Sequence, residues 1–202
     1  MKEEFDFSKD YVLANDCVML RPLLQNDADL LVHFALNEPQ LWQYSLISAA
    51  GKSKMDNYIQ SAIESRDQKN GYAFIVFDKR TNEYAGSTRF YDIQIKHQTL
   101  QLGYTWYGQQ FQGSGLNANC KFLMLCFAFD RMGFERVEFR ADVNNARSIA
   151  AMKSIGCTVE GVLKSNLMKE DGARRDSIVL RILKEEWNAG VKELLEKKFW
   201  AH

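Results

Sequence analysis

Apolar and polar positions change their period several times along this chain, and each change marks an element. Val18, Leu20 and Pro22 fall on one side of a first strand read over Val12 to Leu24. Asn26-Asp27 then offers an N-cap for a helix through Leu36, with Leu30, Leu31 and Phe34 expected on its buried face. A second helix over about Ser53 to Asp67 sets Met55, Tyr58, Ile59, Ala62 and Ile63 at helical spacing. Between them lies Glu38 to Ile47, which carries Pro39, Trp42 and Tyr44 and is too aromatic for a simple tether.

The period next drops to two. Tyr72 to Asp78, Glu83 to Ile95 and Thr99 to Tyr107 read as three strands. Asp78-Lys79-Arg80-Thr81-Asn82 and Ile95-Lys96-His97-Gln98 have hairpin compositions that keep these strands adjacent and antiparallel. Leu116 to Met132 is helix-forming and largely apolar. Arg136 to Asp142 alternates sharply, with Val137, Phe139 and Ala141 on one face and Arg136, Glu138, Arg140 and Asp142 on the other. A helix from Asn145 to Ile155, a strand near Thr158 to Leu163 and a last strand over Asp176 to Leu183 follow. Trp187, Val191, Leu194, Leu195 and Phe199 give an amphipathic closing helix. Helices after the first strand, a meander, then βαβ units predict an α/β (α+β) fold. Its centre is a mixed, mostly antiparallel sheet flanked by helices, not a doubly wound parallel one. With two prolines and no low-complexity stretch, residues 1–202 are expected to form one domain, its core over about 18–183 and its closing helix over 184–199.

Composition removes several function classes. A length of 202 residues suits one sizeable core, and 46% hydrophobic with 26% charged residues is ordinary for a soluble globular protein. Zero net charge provides no global field, so neither nucleic acid nor a membrane is an expected partner. Lys164, Lys169, Arg174 and Arg175 form a short basic group, read as a solvated loop. No apolar run approaches the roughly 20 residues that span a bilayer. Met1 to Asp10 lacks the apolar core of a signal peptide. Cys17, Cys120, Cys126 and Cys157 form no C-x-x-C pair and read as free thiols, so a cytoplasmic location is expected. His33, His97 and His202 make no ligand cluster, and no metal is expected. A monomer and a homodimer both fit.

The chemistry centres on Gln110-Phe111-Gln112-Gly113-Ser114-Gly115, which joins the strand Leu100 to Tyr107 to the helix from Leu116. A strand, a glycine turn and a helix start suit a pyrophosphate, because glycines admit close backbone approach and the first free N–H groups point at the anion. An ordinary strand-to-helix turn has the same pattern. A P-loop would need Gly-Lys-Ser/Thr, which Gly115-Leu116-Asn117 does not supply. Gly113, Gly115 and Ala118 match a dinucleotide fingerprint, with Glu135 near the distance of a ribose-binding acid. That acid falls before the next strand instead of at its end, so this reading ranks second.

Gln110 to Gly115 also resembles, residue for residue, the Gln/Arg-x-x-Gly-x-Gly/Ala loop of the GNAT acetyltransferases. Val137 to Val143 with Asn145-Ala146-Arg147-Ser148 and the run to Gly156-Cys157 resembles that family's second motif. The resemblance spans roughly Val18 to Leu183. It is nearest to the ribosomal-protein alanine and serine N-acetyltransferase group, through Leu20-Arg21-Pro22-Leu23, Leu102-Gly103-Tyr104 and Glu160-Gly161.

The resemblance implies the acyl-CoA N-acyltransferase fold and direct transfer of an acetyl group from acetyl-CoA, the cosubstrate, to a primary amine. The implied cofactor contacts are Phe111, Gln112, Gly113, Ser114, Gly115 and Leu116, with the backbone at Trp106 and Tyr107 and the side chain of Asn145. Asn145 also reads as an N-cap. Ser148, one turn on, is the candidate to protonate or stabilise the departing thiolate, or a small packing residue. Met152 stands where many relatives hold a tyrosine acid and has no proton to give, which passes that role to Ser148 or to water. Glu138, Asp142 and Glu160 are candidate bases, and Cys120 an outside candidate for a covalent route.

The acceptor reads as an α-amine at a protein or peptide N-terminus, which at pKa about 7.7–8.0 needs little help to lose its proton. Trp42 and Tyr44 would line its cleft, and Tyr91 beside Asp92 would serve a small amine instead. A small-amine or antibiotic acetyltransferase, and a CoA-binding module without efficient turnover, stay open beside it.

Overall fold

The computed structural model describes the backbone over residues 3–169 and 172–200 and side chains to residue 197. Its strands are β1 (Leu13–Ala14), β2 (Val18–Pro22), β3 (Gly71–Asp78), β4 (Glu83–Gln94), β5 (Thr99–Tyr107), β6 (Arg136–Asp142), β7 (Thr158–Met168) and β8 (Arg174–Leu183). They form one sheet in the order β1-β2-β3-β4-β5-β6-β8-β7. The helices are α1 (Ala28–Asn37), α2 (Lys52–Asp67), α3 (Leu116–Cys126), α4 (Ala146–Ser154), α5 (Lys184–Glu186) and α6 (Lys192–Trp200). This is the mixed, mostly antiparallel sheet that the sequence predicts.

Among the described residues only β5 and β6 run parallel, and their ladder holds three pairs: Thr99 with Arg136, Leu100 with Val137, and Gln101 with Glu138. Beyond these, β5 stays paired with β4 and β6 with β8, but not with each other. A wedge therefore opens in the middle of the sheet. Its cause is local. The β4–β5 register shifts between Ser87 and Arg89, opposite Trp106 and Gly103, and Tyr104 takes φ 49°. Such a bulge bends its strand and increases the twist. Gly103, Tyr104 and Thr105 are half-exposed although β5 is a central strand, because β6 has left their side.

One face of the sheet meets α1 and α2. Trp106 packs against Trp42 at 5.0 Å and Phe34 at 5.8 Å between ring centroids. The Tyr58 hydroxyl donates to the Tyr104 carbonyl at 3.1 Å. The other face carries α3 and its π-helical extension Phe127–Arg131, where Phe127 stacks on Phe90 at 6.0 Å. The closing segment docks there through Trp187, which lies on Phe129 and donates its indole N–H to Asp130 at 2.8 Å.

Several expectations need correction. The first strand is two: Leu13–Ala14 folds back on β2, with the Asn15 side chain accepting from the N–H groups of Cys17 and Val18. Asp27 does not cap α1; its carboxylate takes the Leu24 N–H and a two-pronged Arg21 guanidinium. Leu30 is 39% exposed, and Ala28, Leu31, Phe34 and Ala35 make the buried stripe. Leu194 is 56% exposed, since a kink at Gly190 (φ 144°) breaks the closing helix and resets its face. The side chain of Phe199 lies outside the described residues. The expected basic group disperses: Lys164 pairs with Asp176, Lys169 with Asp142, and Arg174 reaches Ser165, while Arg175 is buried.

Candidate functional site

Each strand of the wedge ends in a turn that opens a helix. In open sheets with helical connections, ligands sit outside the carboxyl ends of such strands. After Tyr107, residues Gln109–Phe111 make a short 3-10 turn and bury Phe111. Gly113 and Gly115 then take φ 77° and 83°, a conformation that strains any residue with a Cβ. A Cβ built on either would meet nothing within 4 Å, so the space above the turn is open. Among the described residues, the N–H groups of Gly113, Gly115, Asn117 and Ala118 have no acceptor, and no side chain caps α3. Open space facing unpaired amides at a helix start fits an anion such as a pyrophosphate.

The turn is braced from three sides. Arg80, held by Asp78 at 2.6 Å, donates to the Ser114 carbonyl at 2.8 Å. Gln112 donates to the Tyr107 carbonyl at 2.9 Å and accepts from Arg147 of α4. Glu38 accepts from the Gln109 N–H at 2.8 Å. A cavity of about 310 Å³ adjoins the turn, lined by Asp78, Arg80, Thr81, Glu83, Gln110, Phe111 and Ser114. Leu116 is fully buried and anchors the first turn of α3.

At the end of β6, Asn145 is the N-cap of α4 and accepts from the Ser148 N–H at 3.0 Å. The half-buried Ser148 hydroxyl has no partner among the described residues, whereas Met152 is buried. The structure thus brings Asn145 and Ser148 to one wedge strand and the glycine turn to the other, with Arg147–Gln112 linking them.

The candidate bases are engaged. Glu138 lies between Arg136 and Arg140, at 2.8 and 2.7 Å. Glu160 is bound by Arg136 and Arg181, and the Arg136 hydrogen bond holds its carboxyl below the usual range. Asp142 is buried; burial raises its pKa, but hydrogen bonds from Asn144 and Lys169 outweigh it and lower the carboxyl. The Cys120 thiol is pushed up to about 12 by burial, which makes a covalent route through it chemically poor. Burial also drives the Tyr107 hydroxyl well above its ordinary value, so its side chain belongs to the core.

Trp42 is buried with its indole N–H unpartnered, so it contributes packing where an open lining residue was expected. Tyr44 is half-buried, and its carbonyl accepts from Arg175 at 3.4 Å. The Tyr91 ring stands edge-on to Tyr104 at 5.0 Å, at the base of the same region.

Three basic residues lie where the sequence did not place them: Lys121 and Arg89 were not singled out, and Arg175 was expected in a solvated loop. Lys121 is buried under the wedge, its ammonium 2.8 Å from the Thr105 hydroxyl of β5 and 5.9 Å from the Phe139 ring of β6. Burial pushes its pKa down to about 7. Arg89 and Arg175 are buried on the α2 face. A lysine in the apolar run Cys120 to Leu125, one turn before Leu125, was the available signal for the first. A strand arginine is usually a solvated face, and nothing in the sequence marked Arg89 as buried or set Arg175 apart from its basic neighbours.

A sequence model of the acetyltransferase (GNAT) domain matches residues 18–158. The chain belongs to the GNAT acetyltransferase family. A Bacillus subtilis (strain 168) protein provisionally named ribosomal N-acetyltransferase YdaF is 26% identical over 180 residues, covering 86% of this chain and 95% of its own. The crystal structure of a GCN5-related N-acetyltransferase from Brucella melitensis superposes with TM-score 0.85 at 21% identity, over 93% of this chain and 85% of that one. The microcin C7 self immunity acetyltransferase MccE, solved in complex with acetyl-CoA and AMP, gives TM-score 0.74 at 22% identity, over 84% and 93% of the two chains. Membership makes the protein an acetyltransferase and removes the dinucleotide reading, which a sheet with a single parallel pair also contradicts.

Proposed function

We propose that the protein is an acetyl-CoA-dependent N-acetyltransferase whose acceptor is the α-amine of a peptide or protein N-terminus. The observation that carries the cosubstrate is the open turn of unpaired amides at the mouth of the β5–β6 wedge. The free amides of Gly113, Gly115, Asn117 and Ala118 hold the pyrophosphate; those of Phe111 and Gln112, also expected to do so, already donate to the Gly108 and Gln109 carbonyls, and that of Leu116 to the Ser114 hydroxyl. The free edge of β5 at Trp106 and Tyr107 offers backbone groups to an extended amide-bearing arm, as an unpaired strand edge does. When bound, acetyl-CoA supplies the acetyl group already activated as a thioester. Asn145 fixes the first turn of α4 so that the Ser148 hydroxyl, without a partner among the described residues, would hydrogen-bond the departing thiolate and relay to it the proton that the acylated amine gives up.

The acceptor class follows from proton chemistry. Glu138, Asp142 and Glu160 are all tied to cations, so the chain offers no strong base among them. A lysine side chain at pKa about 10.4 would need one, whereas an α-amine is already partly neutral near pH 7. The provisional name of the Bacillus subtilis relative agrees with a ribosomal-protein acceptor. The test is a competition between short peptides with free N-termini and the same peptides blocked at the α-amine but carrying lysine. Acetylation is expected on the free α-amine. Acetyl transfer confined to lysine, or seen only with small amines, overturns the assignment.

A further inference from the structure

Arg89 is 4% exposed, and its guanidinium lies between the rings of Tyr58 and Tyr104, at 4.6 and 4.2 Å from their centroids. Its Nε and Nη2 are buried and donate to nothing, and among the described residues no carboxylate pairs with it. Arg175 is 7% exposed and also has an unpartnered Nε; among the described residues its hydrogen bond goes to the Tyr44 carbonyl. The hydrogen bonds of the neighbouring acids go elsewhere: Asp92 to Gln94 and Gln101, Asp142 to Asn144 and Lys169, Glu138 to Arg136 and Arg140. The Asp142 charge favours the Arg175 cation from a distance, but burial outweighs it.

A buried charge with one-sided hydrogen bonding is costly, and removing one partner of a charge pair is strongly destabilising. Ring faces compensate part of this, since an aromatic quadrupole attracts a cation, but they accept no N–H in the plane of the fork. Arg89 lies against Tyr104, which is half-exposed at the opened edge of β5, and Arg175 is within electrostatic reach of the same tyrosine while bonded to Tyr44 of the expected acceptor segment. Unfilled, planar donors beside the wedge match an oxyanion, which a guanidinium binds through two parallel N–H groups.

We infer that Arg89 and Arg175 form an anion subsite of the acceptor region, so that the preferred acceptor carries a carboxylate or phosphate within a few bonds of its reacting amine. For a peptide, an acidic second residue meets this requirement. The inference rests on the acetyltransferase reading for its rates but not for its binding, so the two are measured separately.

The probes are Ala-Glu-amide, Ala-phosphoserine-amide and the neutral isostere Ala-Gln-amide, each titrated calorimetrically into the protein and assayed for acetylation. The acidic probes are expected to bind at least about 30-fold more tightly than the neutral one, the span of a desolvated charge pair. That ratio should collapse in Arg89→Gln and Arg175→Gln while the Kd for CoA holds, which also reports that the variants are folded. Comparing the glutamate and phosphoserine probes tells carboxylate from phosphate. Equal acetylation of acidic and neutral probes, or binding of neither acidic probe, overturns the subsite. Selective binding without acetylation keeps the subsite and overturns the proposed reaction.

Discussion

Lys121 shows how far one side chain can depart from its sequence context. Its hydrogen bond to Thr105 contributes roughly 1 kcal/mol, less than the several kcal/mol that burying an ammonium costs. Between pH 7 and the ordinary lysine value of 10.5 the folded chain leaves Lys121 neutral while the unfolded chain still binds the proton. Stability contributed at this residue therefore rises with pH across that window, and below pH 7 the burial cost is felt in full. Lys121→Met is expected to melt several degrees higher than the wild type at pH 6–7, with the gap closing by pH 10. Melting curves of both proteins across that range check it; a gap that does not vary with pH contradicts the assignment. Ser148→Ala, which loses a hydroxyl without disturbing the Asn145 cap, should lower turnover about a hundredfold and leave the CoA Kd unchanged. Near-normal turnover would return Ser148 to a packing role. Asn145 and Ser148 were legible because cap chemistry is local. Arg89, Arg175 and Lys121 were not, because their meaning depends on which carboxylates lie elsewhere in the fold.

The glycine turn owes its shape to neighbours that the motif does not contain. Arg80 comes from the β3–β4 hairpin and reaches Ser114, and Asp78 fixes its guanidinium. Arg80→Met should weaken CoA binding about three- to tenfold, the loss of one charge-assisted hydrogen bond, with little change in melting temperature. Calorimetry on the folded variant reads this directly, and an unchanged Kd would mean the turn holds its shape unaided. The strand period located β3, β5 and β6 well, and β6 at the same bounds, Arg136 to Asp142. Alternation failed where backbone geometry changed without a change in hydrophobicity. Asn15 turns the chain between β1 and β2, and Gly190 kinks the closing helix, so Leu194 points outward despite its helical spacing. β7 runs on to Met168, five residues past the expected Leu163, because its partner β8 begins earlier, at Arg174.

The wedge belongs to the molecule as a whole. No segment encodes it alone: it needs the bulge at Tyr104, a parallel ladder that stops at Gln101, and two helices that start where the strands end. Element order made a mixed sheet legible, and the Gln110 to Gly115 motif pointed to its mouth. The divergence of β5 from β6 was invisible, because pairing between strands about 30 residues apart leaves no periodic trace in either. The most direct measurement is calorimetric titration of CoA into the wild type and a folded Gly113→Val variant. Gly113 sits at φ 77° with open space beyond it, so a branched side chain both strains the turn and occupies the approach. The expected result is saturable binding at one site in the wild type and at least about a tenfold loss in the variant. Equal affinity in the two folded proteins, or no binding to the wild type, would contradict a CoA site at the mouth of the wedge.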